Sequence, residues 1–133
     1  MRLRTAVLLA ALLAAFGCSN PAGPDQVALA TPFDLAVGHT AELPDGFRLQ
    51  FDSVPADSRC PLDALCISAG DATVVLNARD GGASVPLELH TTAGFQISYS
   101  NHTIRLTSLQ PYPRSDRQPR SIDYVATLVV TTP

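Results

Sequence analysis

The stretch Phe47-Arg48-Leu49-Gln50-Phe51-Asp52 alternates large apolar side chains with charged or amide ones, at a period of two. Successive side chains of an extended strand point to opposite faces, so the pattern builds one dry face and one wet face; a helix has no use for it. The alternation returns at Ala72, Val74 and Leu76, at Val85, Leu87 and Leu89, at Phe95, Ile97 and Tyr99, and at Ile104 and Leu106. It returns again at Ile122, Tyr124, Ala126, Leu128 and Val130, where Val125 and Val129 make the second face apolar as well. That run predicts a central strand covered on both sides. Turn-forming residues separate the runs: Pro44-Asp45-Gly46, Arg79 to Gly82, Ala93-Gly94 and Ser100-Asn101-His102. No amphipathic helix is visible beyond one possible turn over Pro61 to Leu65. The chain therefore reads as all-β, a small antiparallel β-sandwich or barrel of about seven strands.

Toward the amino end the pattern changes. Arg2 and Arg4 precede an uncharged run from Ala6 to Phe16, and Gly17 leads into Cys18. The run is far short of the roughly 20 residues that cross a bilayer, and the arrangement is that of a targeting leader. It resembles a bacterial lipoprotein signal peptide, although Ala15 stands where such leaders commonly carry leucine. The resemblance implies that residues 1–17 are removed and that Cys18 is acylated, which would fix the protein to membrane lipid. An ordinary secretory leader cut nearby is the alternative. Ser19, in place of aspartate, resembles lipoproteins passed on to the outer membrane of diderm bacteria. The expected location is the cell envelope, lipid-anchored and facing the periplasm or the surface. Residues 18–32, with Pro21, Gly23 and Pro24, read as the lipidated cysteine and a flexible tether. It would reach up to about 40 Å if extended. Residues 33–133 remain as a single β-domain.

All nine basic residues are arginine, against twelve acidic residues. Losing Arg2 and Arg4 with the leader leaves seven against twelve, a net charge of −5. Such a surface argues against a nucleic-acid partner.

If lipid consumes Cys18, Cys60 and Cys66 are left as an even pair outside the cytoplasm, where disulfides persist. A disulfide closing one short loop is expected. A metal site or a redox pair is the alternative, but the spacing is not Cys-x-x-Cys and no histidine lies nearby in sequence. The surrounding run is Asp57-Ser58-Arg59-Cys60-Pro61, then Cys66-Ile67-Ser68-Ala69-Gly70-Asp71. It resembles a group of small, mostly uncharacterised bacterial secreted proteins and lipoproteins that look like single β-domains of this length. Ser68 stands where tryptophan is common in that group, and this chain has no tryptophan. From the residues themselves, Asp57 and Ser58 suit caps of the turn, Arg59 has Asp57, Asp63 or Asp71 as partners, and Gly70 permits close backbone approach. The segment is then either a structural crossover or a displayed recognition loop in which Arg59 takes part.

A second candidate is the loop Pro111-Tyr112-Pro113-Arg114-Ser115-Asp116-Arg117-Gln118-Pro119-Arg120-Ser121. Arg114, Arg117 and Arg120 with Tyr112 suit phosphate, carboxylate or glycan groups on an envelope protein or polymer; the plain alternative is a solvated loop kept extended by proline. His39, His90 and His102 show no ligand spacing and read as solvent-facing strand or turn positions, so no metal is assigned. Asp52, Asp57, Asp63 and Asp71 lack the alternation of a calcium loop. No nucleophile elbow or phosphate-binding glycine loop is present, and no cofactor is implied. The sequence points to an envelope lipoprotein with a binding or structural role and no catalysis. An inhibitor-like or ligand-sequestering domain is one alternative, favoured if the cysteine ring and the arginine loop lie at one end. A small metal-dependent hydrolase is the other, requiring His90 or His102 to meet the aspartates in a pocket.

Overall fold

In the computed structural model, residues 23–133 are described; the leader and Cys18 lie outside them. The chain forms nine strands: β1 (Asp25–Gln26), β2 (Phe33–Ala36), β3 (Thr40–Glu42), β4 (Arg48–Asp57), β5 (Ala72–Arg79), β6 (Val85–His90), β7 (Gln96–Tyr99), β8 (His102–Gln110) and β9 (Val125–Thr131). They make a five-stranded sheet in the order β1-β3-β4-β5-β6 and a four-stranded sheet in the order β2-β9-β8-β7. The result is an open sandwich rather than a closed barrel. All pairings are antiparallel except β1 on β3.

The alternating residues meet between the sheets. Phe47, Leu49, Phe51, Val74, Leu76 and Leu89 face Leu35, Ile104, Leu109, Leu128 and Val130, all buried. Burying a side chain of this size is worth about 1.5–3 kcal/mol, which makes this layer the main favourable term of the fold.

Two strands go beyond the expected seven, and one of them arises where an apolar run is split. Gly38, at φ +84°, turns the chain out of β2 in one sheet and into β3 in the other, and its N–H donates to Phe51 O at 2.7 Å. The other extra strand, β1, falls within the stretch expected to be tether. Val27 N–H donates to Glu42 O, Ala30 N–H donates to Val130 O, and Val27 and Leu29 pack against the core. Asp25 to Ala30, within the stretch expected to be tether, therefore belong to the packed body.

Two apolar residues are not where the alternation put them. Phe95 precedes β7 and is 47% exposed, while Ile122 sits in a short 3-10 turn (Ser121–Asp123) and is 68% exposed. Arg120 and Asp123 close that turn with a paired hydrogen bond, so β9 begins only at Val125. β9 is central, between β2 and β8, but its second face is half-buried rather than covered.

Pro55 lies inside β4, which runs between two other strands, and a proline there cannot donate to a ladder. The chain accommodates it with register shifts on either side of Ser53, the second reaching to Ala56. Beyond that irregularity the strand carries Asp57, with its carboxylate buried, at the end of the sandwich where the candidate loops lie.

Candidate functional site

The Cys60–Cys66 disulfide is formed, with Cα atoms 5.9 Å apart. Its ring stands on a short ladder, in which Ser58 N–H donates to Asp71 O and Cys60 N–H to Ala69 O. Gly70 makes that neck possible. It adopts φ +70°, and a Cβ there would lie 1.9 Å from the carbonyl oxygen of Ser58. Inside the ring Ala64 N–H donates to Pro61 O, the single turn expected there.

Arg59 lies beneath the ring with its side chain buried. Its Nε and Nη2 donate to the two oxygens of Asp57 at 2.8 and 2.7 Å. Nη1 donates to Leu109 O at 2.6 Å and Nη2 also to Pro111 O at 2.9 Å. The Tyr112 ring covers the guanidinium at 4.3 Å, and Tyr124 Oη donates to Asp57 at 2.9 Å. Burial alone would raise the Asp57 pKa, but the hydrogen bonds from Arg59 and Tyr124 and the guanidinium charge outweigh it and hold the carboxyl below its ordinary value. Burial, then the hydrogen bond to Asp57, push Tyr124 up to about 12. Of the partners open to Arg59 the structure selects Asp57. A cation so saturated braces the crossover and is not displayed for a ligand.

Asp63 and Asp71 go elsewhere. Asp63 accepts from Ser115 twice, from the backbone N–H at 2.8 Å and from Oγ at 2.6 Å, and Leu62 N–H donates to Pro113 O at 3.2 Å. The cysteine ring and the arginine loop are thus clamped together at one end of the sandwich. The loop does not simply project, since Pro113 is buried. On the joined surface Leu62, Leu65 and Ile67 are exposed, the last two fully, and Tyr112 is partly exposed. Beside them Pro111, Tyr112, Arg114, Arg117 and Arg120 line an open groove of about 400 Å³.

Asp71 accepts from His90 Nδ1 at 2.7 Å, from Thr91 Oγ1 and from Thr92 N–H. The hydrogen bond to Asp71 raises the His90 pKa against a smaller opposing effect of burial. His39 is exposed, 3.9 Å from Asp25. His102 departs from the solvent-facing expectation. It is buried, stacked on Phe47 with centroids 3.9 Å apart, and its Nε2 is 2.7 Å from Asp45 Oδ2. Its parity with Ile104 and Leu106 is the signal that places it inward. Among the described residues, no three of His, Cys, Asp and Glu stand close enough to hold a metal ion.

A scan of protein-family models matches none for this chain, and searches of curated proteins and of solved structures return no similar one.

Proposed function

We propose that the protein is a lipid-anchored module of the bacterial cell envelope that binds a partner through the joined cysteine ring and arginine loop, without catalysing a reaction. The observation that carries this reading is the Asp63–Ser115 clamp. It fixes two loops, 52 residues apart in sequence, into one surface that displays Leu62, Leu65 and Ile67. Large apolar side chains held in water on a pre-ordered loop cost little further entropy when a partner covers them. The leader ending in Cys18 supports the anchor. The shared end of the two loops also favours an inhibitor-like or sequestering role, which is the same surface aimed at a protein target.

The test is photo-crosslinking in cells, with the probe placed at Leu65 or, as a control, at Gly82 in the turn between β5 and β6 at the other end. A defined adduct from Leu65 and none from Gly82 is expected; equal labelling from both, or none, overturns the reading. Intact mass of the protein from its own membranes tests the anchor, with a lipid increment on a chain beginning at Cys18 as the expected result.

A further inference from the structure

Arg114 and Arg117 face each other across a two-residue turn. Arg114 N–H donates to Arg117 O at 2.9 Å and Arg117 N–H to Arg114 O at 3.1 Å. Residues that exchange both backbone bonds in this way lie about 5.5 Å apart and send their side chains to the same face. Like charges set directly opposite destabilise such a pair, so the arrangement is unfavourable by itself. The neighbouring charges do not resolve it. Arg120 is held by Asp123 through Nε and Nη2, both at 2.8 Å. Asp63 feels the charge of Arg114, yet both its oxygens already accept from Ser115. Among the described residues, neither the Arg114 nor the Arg117 guanidinium donates a hydrogen bond to a protein acceptor, and both line the groove. Asp116 sits in the turn between them, one negative charge against two positive ones.

We propose that this groove is a phosphate-binding site, with Arg114 and Arg117 as the paired donors and Tyr112 as the wall for the organic part of the ligand. Each guanidinium presents a planar fork of donors. A tetrahedral phosphate holds its terminal oxygens out of one plane and meets two forks side-on at once, whereas the coplanar oxygens of a carboxylate align in bidentate fashion with only one. Tyr112 is suited to its part because Arg59 beneath fixes the ring. The inference rests on the reading of this end as the recognition face and names the chemistry of its arginine half.

The experiment follows the arginine Nε–Hε signals of the full protein in detergent micelles as inorganic phosphate, glycerophosphoglycerol or acetate is added. Saturable shifts at Arg114 and Arg117 with phosphate are expected, with Arg59 unmoved. The combined R114Q and R117Q variant should weaken binding by roughly tenfold or more, and its thermal midpoint should hold or rise because the repulsion is gone. Saturation by phosphate alone assigns a free phosphate or phosphomonoester; saturation by the diester assigns a lipid headgroup or envelope polymer. Acetate binding as tightly as either, shifts that survive the double variant, or no saturable shift overturns the proposal. A Leu65 crosslink with silent arginines would remove this inference and leave the recognition face standing; silence in both would remove both.

Discussion

The two ends of the sandwich each bury a basic side chain against an aspartate and an aromatic ring, and they do so in opposite ways. At the ring end Arg59 meets Asp57, Tyr112 and two backbone carbonyls, with the buried charge matched at nearly every donor. At the turn end His102 meets Asp45 and Phe47, and its buried Nδ1 has no hydrogen-bond partner among the described residues. Asp45 itself is partly exposed, and its pKa is lowered first by the hydrogen bond with His102 and then by the Phe47 N–H. The ring end is tied by a permanent cation to elements far apart in sequence. The turn end is tied by one incompletely satisfied group, His102, to the hairpin of Asp45, 57 residues away in sequence. The contrast indicates which end keeps its shape when a partner presses on it.

Breaking the ring end should cost most. Arg59→Ala leaves the Asp57 carboxylate buried without its counter-charge and should destabilise the fold by about 3–5 kcal/mol, read by urea unfolding. Unchanged stability would show that Arg59 does not brace this end. Replacing both cysteines with serine should cost about 2 kcal/mol by the loop-entropy argument. Because the Ser58–Asp71 ladder and the Asp63 clamp persist, the ring should stay in place, as protection of the Cys60 amide from hydrogen exchange would report.

At the turn end, Asp45→Ala removes the acceptor of both His102 and the Phe47 N–H, and should cost about 1–2 kcal/mol. A loss as large as that of Arg59→Ala would erase the contrast between the ends. The smallest effect belongs to pH. His90 has its pKa raised above 6.5 in the folded state, so its contribution is complete below that value and fades as pH rises through the folded value. Asp57 and Asp71 have pKa values lowered below 3.8, so theirs is complete above that value and is lost as pH falls through the folded values. Stability should be greatest between those limits. His90→Gln should flatten the neutral-side decline, by under about 1 kcal/mol since the pair is partly solvated; on the acid side it should shrink the share of Asp71, whose lowering owes most to His90, and leave that of Asp57 intact.

How much of this could be read from the chain depends on the range over which each residue is decided. Leu49, Phe51, Val74 and Leu89 obey local alternation, and the core they form was legible. Phe95 and Ile122 share that periodicity but lie just outside strands, because the loop before β7 and the Arg120–Asp123 turn end the regular backbone one and three residues away. His102 was misread because Ser100 and Asn101 mark a turn, although its parity with Ile104 belonged to the strand. The candidate site was legible as a list of loops and illegible as an arrangement. The choice of Asp57 by Arg59 rests on Leu109, Pro111 and Tyr124, and the clamp pairs Asp63 with Ser115; no local pattern records contacts of that separation.

The short strand β1 has a mechanical consequence. Among the described residues it is the first strand to meet any pull from the amino-terminal side, and it holds by two residues paired to β3 and a few backbone bonds beyond. β2 holds next, by four residues paired to the central strand β9. A modest load would therefore peel residues 25–32 from the sandwich before anything in the core yielded, paying out roughly 26 Å of extra chain at about 3.3 Å per residue. The chain would lengthen there under tension before the pull, passed on through β3 and β4, reached the ring end.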